Sequence, residues 1–368
     1  MRTESIGMAK VMVGLSGGVD SAVAAALLLE QGHEVVGGYM KNWMNEEGIP
    51  GDCPWEQDID DACATAKKLG IEFRVIDLID QYKEKIVEYL VNGYEEGLTP
   101  NPDVWCNREM KFGVFLDYAM AQGFQAVGTG HYARRRVMSD GRAAILRGAD
   151  PNKDQSYFLS LMTKFQVEHA LFPTGEMLKP EVREVARRFA LPVAEKKDSQ
   201  GICFLGQVKM SDFLAHYLKD KPGEIIDTNG QVLGNHRGLH FYTIGQRKGH
   251  GVASPVDGMA YVVVGKNAAA NQLIIGWDRE DSAGLYSVEC VVGSITSINE
   301  DIAALHRTEA QPRYRAKAEN AEVEAISENR VKLRFANSQR ALVAGQVCAF
   351  YDGGRLLGGG VIEEVFPK

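Results

Sequence analysis

Cysteine is scarce in this chain, with six in 368 residues. Successive cysteines are 10, 43, 97, 87 and 58 residues apart, so there is no Cys-x-x-Cys pair. That spacing argues against a zinc ribbon and disfavours a thiolase that holds an iron–sulfur cluster. It is also too sparse for the disulfide framework of a secreted scaffold. Long apolar runs are missing too: no uncharged stretch approaches the roughly 18 residues that span a bilayer, so an integral membrane protein is not expected. The start of the chain lacks the basic, apolar and small-residue pattern of a signal peptide, because Val11–Leu15 is short and runs into glycines. A cytoplasmic protein with no membrane partner is the expectation. Internal repeats and low-complexity segments are absent.

An excess of positive charge is lacking as well, since the net charge is −8, which at first argues against a nucleic-acid partner. The sum hides an asymmetry. Residues 1–133 carry 21 acidic and 10 basic side chains, residues 134–219 carry 10 and 15, and residues 220–368 carry 18 and 16. A basic middle can hold a polyanion locally, because screening confines exposed charges to about 8–10 Å. Taken alone, the charge pattern fits a solvated helical surface better.

What is present is a globular composition, 45% hydrophobic and 24% charged, long enough for two or three domains. Lys10–Leu15, Glu34–Tyr39, Ile71–Leu78 and Phe124–Gly130 read as strands. Residues 20–31, 56–69, 80–96, 108–122 and 180–190 read as helices, and 99–107 as a proline-stiffened loop. This alternation predicts an α/β fold, a Rossmann-like parallel sheet with helices on both faces. After about residue 215 the pattern changes to short strands and polar turns, including a hairpin at Asn229-Gly230. Two small β-barrel-like domains are expected there. The expected boundaries are 1–215, 216–284 and 285–368, with Gly353–Gly360 read as a turn or loop.

The sharpest pattern is Ser16-Gly17-Gly18-Val19-Asp20-Ser21, between the first strand and the first helix. Paired glycines let a backbone approach an anion and turn its N–H groups toward it. The hydroxyls of Ser16 and Ser21 add donors, and the helix N-terminus adds positive potential. Asp20 either caps the helix or helps hold a magnesium ion against phosphates. A plain strand–helix turn is the bland alternative, but six residues in this context favour phosphate binding. A Walker A loop would have lysine before its Ser/Thr, and none stands here.

This loop resembles the pyrophosphate-binding loop of the ATP pyrophosphatase superfamily, whose members split ATP to AMP and pyrophosphate. Further segments narrow the resemblance: Thr99-Pro100-Asn101-Pro102-Asp103-Val104-Trp105-Cys106-Asn107, Gly128-Thr129-Gly130-His131-Tyr132, Lys153-Asp154-Gln155-Ser156-Tyr157-Phe158, Asp198-Ser199-Gln200-Gly201-Ile202-Cys203-Phe204 and Thr243-Ile244-Gly245-Gln246-Arg247-Lys248-Gly249. In this order, over nearly the whole chain, they resemble the bacterial tRNA-specific 2-thiouridylases. The resemblance implies ATP-dependent replacement of the C2 oxygen of a tRNA wobble uridine by sulfur. Cys203 would carry a persulfide, Cys106 would be the partner thiol that reduces it or resolves it by forming a disulfide, and Asp103 would be a general acid or base. Gly14, Leu15, Ser16, Gly17, Gly18, Val19, Asp20, Ser21, Met40 and Gly130 would bind ATP with its Mg2+, without a dedicated metal site. Asn101, Pro102, Asp103, His131, Lys153, Asp154, Gln155, Arg313, Tyr314 and Gln346 would meet tRNA. The implied partners are tRNA and a persulfide-donating relay protein or desulfurase.

From the residues alone, each assignment has a plainer counterpart. Cys203, flanked by Ile202, Phe204 and Leu205, could be a core thiol. His131 could be a satisfied histidine at a strand end, Met40 a strand-end core residue, and Arg313 and Tyr314 solvent-facing strand residues. Cys106 has polar neighbours, so a core role is less expected for it. Cys53, Cys63, Cys290 and Cys348 are assigned to structure. A nitrogen-transferring ligase resembling argininosuccinate synthetase would share the phosphate loop, but would need neither two spaced loop cysteines nor a basic middle segment.

Overall fold

The computed structural model describes residues 7–44, 48–49, 55–197 and 208–367. Along the chain, β1 (Lys10–Gly14), α1 (Val19–Glu30), β2 (Glu34–Lys41), α2 (Trp55–Leu69) and β3 (Glu72–Asp77) alternate as expected. Val11, Met12 and Val13 of β1 are wholly buried, as a strand covered on both faces must be. The helix α1, rich in alanine and leucine, ends before Gly32, whose φ of +88° suits a chain reversal.

The single helices expected over 80–96 and 108–122 are composite. In the first, α3 (Ile79–Tyr82) passes through a π-helical stretch, Lys83–Val87, into α4 (Glu88–Glu95). In the second, α5 (Pro102–Cys106) passes through Asn107–Val114, also π-helical, into α6 (Phe115–Ala121). The reading of 99–107 as a loop is therefore corrected. Asn101 caps α5 by accepting from the Val104 N–H at 3.2 Å, and Pro102 fills the first helical position, where a missing N–H costs nothing.

Next come β4 (Ala126–Gly128), the hairpin β5 (Ala133–Val137) and β6 (Ala143–Arg147), α7 (Lys164–Glu168), β7 (Ala170–Leu171), α8 (Lys179–Arg188) and α9 (Met210–Tyr217). The five-stranded parallel sheet has the order β3-β2-β1-β4-β7. Strand order reverses between β1 and β4, so the crevice at their carboxyl ends is the expected ligand position.

The second unit is a four-stranded sheet, β10-β11-β8-β9, made by β8 (Gly223–Asp227), β9 (Val232–His236), β10 (Tyr261–Asn267) and β11 (Gln272–Trp277). The hairpin at Asn229-Gly230 is present. The third unit holds β12 (Tyr286–Ser297), β13 (Arg307–Gln311), β14 (Glu319–Ser327), β15 (Arg330–Arg340), β16 (Val347–Asp352) and β17 (Arg355–Pro367). These pair in the order β12-β15-β14-β13-β16-β17, and β17 returns to β12, closing a six-stranded barrel. Cys290 and Cys348 lie in its core, where burial pushes the Cys290 thiol up to about 12 and raises Cys348 as well.

Two features differ from the sequence reading. Only Gly353-Gly354 form a turn; Gly358, Gly359 and Gly360 lie inside β17. The strand there runs so close to β12 that a Cβ on Gly358, at φ +150°, would sit 2.0 Å from the Thr296 carbonyl oxygen. The hairpin β5–β6, unforeseen, joins the barrel sheet through Leu146 beside Arg355 and Ile145 beside Leu356. The run Arg134-Arg135-Arg136 reads as charge, and its strand character comes from pairing with Ala143–Arg147. Among the described residues no helix is long and apolar enough to cross a membrane.

Candidate active site at the strand ends

The phosphate loop follows β1 at the switch point. The Leu15 N–H donates to the Gly38 carbonyl at 2.9 Å, holding the loop to β2. Gly17 has φ +74°, and a Cβ on it would lie 2.5 Å from the Asp58 carbonyl oxygen, so only glycine fits. The Ser21 hydroxyl accepts from the Ser16 N–H at 3.1 Å and donates to the Gly18 carbonyl at 3.0 Å. No side chain caps α1. Its first-turn amides are closed off from one side by Gly130, where a Cβ would lie 2.7 Å from the Ser21 nitrogen. Met40 brings its Cε to 3.5 Å from where a Gly14 side chain would begin, at the edge of this crevice.

Asp20 is not a helix cap either. Its Oδ1 accepts from the Tyr132 hydroxyl and from Lys179 Nζ, each at 2.7 Å. Lys179 thus sets a cation at the loop, a residue the sequence reading did not single out because it lies just before the expected helix over 180–190. The Lys179 N–H donates to the buried Asp150 at 3.1 Å, fixing the start of α8. Tyr132 is held in turn by Gln155, whose Oε1 accepts from the Tyr132 N–H at 3.0 Å. Asp154 accepts from the Gly148 and Ser156 N–H groups, from the Ser156 hydroxyl and from Arg147 at 2.8 Å. The Arg147 guanidinium lies 3.8 Å from the centroid of the Tyr351 ring in the barrel. Lys153-Asp154-Gln155 therefore forms a turn that braces the phosphate site, with Lys153 half-buried.

A second lysine flanks the loop. Lys196 Nζ donates to Asp58 at 2.8 Å and to Asp61 at 2.6 Å. Burial opposes its charge, but these two carboxylates outweigh that and hold its pKa above the usual lysine value. Arg183 fixes the same turn by donating to the Ala194 and Lys196 carbonyls. Other cations of the basic stretch also pair with carboxylates: Arg134 and Arg136 reach Glu176, and on the exposed surface Arg187 reaches Glu195 and Arg188 reaches Glu30.

The residues Asn101, Pro102 and Asp103 form the first turn of α5, with Asp103 half-buried. Asn101 Nδ2 lies 3.4 Å from the Tyr157 hydroxyl, and the Tyr157 and Phe158 rings pack on Tyr314 with centroids 6.0 and 4.3 Å away. Tyr314 and the exposed Arg313 lie in the turn between β13 and β14, not on a strand. Gln346 Nε2 donates to the Thr99 carbonyl at 2.7 Å. These residues, spread over 250 positions of sequence, form one patch. His131 does not face outward: it is 8% exposed, its Nδ1 lies 2.8 Å from the Thr129 hydroxyl, and Phe112 and Phe172 flank it. Burial, reinforced by the charge of Lys111, drives its pKa well below the usual histidine value, so it is neutral.

Cys106 ends α5 with 1% exposure, inside the main apolar cluster, despite its polar sequence neighbours. Helical spacing, not adjacency, decides its surroundings: it turns inward with Met110, four residues on, into the cluster that also holds Val104. Cys63, Cys106, Cys290 and Cys348 are all thiols, and Cys63 is exposed on α2. Cys53 and Cys203 lie outside the described residues, as does the rest of Asp198–Phe204, so the expected Cys106–Cys203 pairing has no geometry here. Among the described residues no group of acidic, histidine and cysteine side chains is set to hold a metal.

Residues 9–207 match the family described as tRNA methyl transferase HUP domain, 211–277 the tRNA methyl transferase PRC-barrel domain, and 287–362 the aminomethyltransferase beta-barrel domain. The protein named tRNA-specific 2-thiouridylase MnmA from Akkermansia muciniphila is 65% identical over 360 residues, covering 98% of this chain and 100% of that one. Its namesake from Pseudomonas syringae pv. syringae is 44% identical over 364 residues, covering 98% of this chain and 96% of that one. Among solved structures, NMN synthetase from Francisella tularensis overlaps with a TM-score of 0.34 at 17% identity, covering 55% of this chain and 71% of that one. With an end-to-end relative at this identity and a strand-end phosphate loop in place, the chain belongs to the tRNA-specific 2-thiouridylase family.

Proposed function

We propose that this protein is an ATP-dependent tRNA sulfurtransferase that 2-thiolates the wobble uridine, acting in the cytoplasm. The observation that carries the reading is the phosphate loop: glycine-turned amides, paired serine hydroxyls and a helix N-terminus, with Lys179 and Tyr132 donating to Asp20. Such a site suits the polyphosphate of ATP. Asp20 Oδ1 takes both donors, and a magnesium ion arriving with ATP would be met by the same carboxylate.

The C2 oxygen of the uridine attacks the α-phosphorus and pyrophosphate leaves. Adenylation is needed because oxygen on a pyrimidine carbon is a poor leaving group and AMP a good one. A Cys203 persulfide then attacks C2 with its outer sulfur, and the C2–O bond breaks to release AMP. The Cys106 thiolate attacks the Cys203 sulfur, forming a Cys106–Cys203 disulfide and leaving sulfur on C2. The two thiols supply the two electrons that the persulfide sulfur takes up, and an external thiol must reduce the disulfide before the next turnover. Asp103, in the first turn of α5, is the proposed proton carrier. A relay protein or desulfurase would load the persulfide.

Arg313 and Tyr314 beside Asn101 supply a cation and a ring for an unpaired base, Gln346 reaches the Thr99 carbonyl next to them, and Lys153 is a further proposed cation for the RNA. His131, buried and neutral, would act there by shaping the strand end. The test is incubation with bulk tRNA, ATP and a sulfur donor, followed by nucleoside analysis and nucleotide assay. 2-Thiouridine with AMP and pyrophosphate is expected; ADP and phosphate would defeat the reading.

A further inference from the structure

The helix α5 opens the continuous helical run over 102–121, so contacts at its lead-in set where that run starts. Its lead-in is Thr99, 7% exposed, and every polar group of Thr99 is met by another unit of the chain. The Thr99 N–H donates to the Ala344 carbonyl at 2.9 Å. The Thr99 carbonyl accepts from Gln346 Nε2 at 2.7 Å. The Thr99 hydroxyl lies 3.3 Å from the hydroxyl of Thr243. Ala344 and Gln346 belong to the turn between β15 and β16 of the barrel, and Thr243 belongs to the middle unit.

The attachment is built for close approach. Gly345 has φ +91°, and a Cβ on it would lie 2.7 Å from the Thr99 nitrogen. It also extends to the helix cap: the Tyr157 hydroxyl donates to the Val347 carbonyl at 2.8 Å and receives Asn101 Nδ2 at 3.4 Å. Four consecutive barrel residues, Ala344 to Val347, thus fix both the lead-in and the cap of α5. At the far end of the same helical run, the Phe115 ring occupies the space beside Gly14 and Gly38, at the strand ends that carry the phosphate loop.

We infer that Thr99, Thr243 and Gly345 are positioning residues, through which the two C-terminal units set the place of Asp103 and Cys106 above the phosphate loop. The inference deepens the thiolation reading and rests on it for the roles of Asp103 and Cys106. The barrel then contributes to the chemical step as well as to holding RNA. Other contacts join these units elsewhere, but at Thr99 the N–H, the carbonyl and the hydroxyl are all met by the C-terminal units.

The experiment uses the full chain carrying Gly345→Ala or Thr243→Val, with Thr243→Ser as the conservative control. Gly345→Ala forces Thr99 away from the turn and is expected to lower kcat about 100-fold, the usual result of misplacing a reacting group by about 1 Å. KM for tRNA should change by a smaller factor than kcat, although the displaced segment carries Asn101 and Asp103 and lies beside Gln346. Thr243→Val removes one hydroxyl contact and should lower kcat about three- to tenfold, as the loss of one hydrogen bond does, with Thr243→Ser restoring it. Iodoacetamide labelling of Cys106, read by peptide mass spectrometry without tRNA or ATP, should be faster in both variants. An unchanged kcat and labelling rate in folded Thr243→Val protein would overturn the inference, and so would a rise in KM alone. If Gly345→Ala does not fold, Thr243→Val decides. If the wild type makes no thiouridine, the functional reading fails, and the labelling comparison still tests the positioning.

Discussion

Replacing Gly130 by alanine tests how the phosphate loop is held in register. Gly130 ends the segment after β4 and presses on the first turn of α1. An added Cβ would lie 2.5 Å from the Asp20 carbonyl carbon and 2.7 Å from the Ser21 nitrogen. Ordinary carbon contacts fall at about 3.5–4.0 Å, so helix and strand end must part by about 1 Å. Both partners are backbone, so no side-chain rotation relieves the contact. Gly130 is not among the residues with positive φ, so the effect is steric rather than conformational. Overpacking of this kind costs about 1–3 kcal/mol. Moving the amides that face the phosphates by that distance should weaken ATP binding about 10- to 100-fold. Titration calorimetry with ATP, paired with a thermal melt, measures both. Gly141→Ala is the control: its φ is +85°, but nothing lies within 4 Å of its Cβ, and it sits in the turn between β5 and β6. It should lose about 1–2 kcal/mol of stability and keep ATP affinity. A Gly130→Ala protein that binds ATP within twofold of wild type would refute the reasoning.

The other predictions follow from single contacts. Lys179→Met leaves Asp20 beside the phosphates without its cation, so ATP and pyrophosphate affinity should fall about 10- to 100-fold, as for a lost charged hydrogen bond, with AMP affinity kept; equal losses for AMP and ATP by calorimetry would assign Lys179 to structure alone. His131 is neutral in the fold and its pKa is lowered, so the unfolded chain binds more protons on acidification. Its contribution to stability is intact above about pH 6.5 and falls by up to about 1.4 kcal/mol per unit below that, until the folded pKa is reached; denaturant titrations from pH 8 to 5 should show a flatter profile in His131→Gln. Cys203→Ser should abolish thiolation with adenylation still detectable, whereas Cys106→Ser should accept persulfide on Cys203 and release sulfur slowly, both read by mass spectrometry after one turnover; full activity in either would defeat the cysteine scheme.

Local physics determined much of this protein from sequence. The period of the apolar residues marked four of the five parallel strands and α1 and α2, because a strand buried on both faces must be continuously apolar and a covering helix apolar on one side; the two-residue β7 is too short to show a period. The phosphate loop was legible because its function needs glycine backbone freedom and hydroxyl donors at fixed spacing within six consecutive residues. The Asn229-Gly230 hairpin was legible for the same local reason. The start of α5 was written in Asn101-Pro102 and was obscured by reading prolines as loop formers. Long-range partners were not legible. That Gln155 braces Tyr132 depends on residues 23 positions apart, that Lys179 meets Asp20 on residues 159 apart, and that β5–β6 extends the barrel sheet on strands of different units. Cys106 shows the limit most plainly: its neighbours in sequence are polar, yet the helix turns its side chain into the core, because burial follows the direction of a side chain in the folded chain and not the character of the residues beside it. The sequence alone determined the family and the phosphate-loop pattern, and only the tertiary structure decided that the barrel at the far end of the chain holds Thr99 and the helical run that follows it, since those partners lie about 245 positions apart and no local pattern joins them.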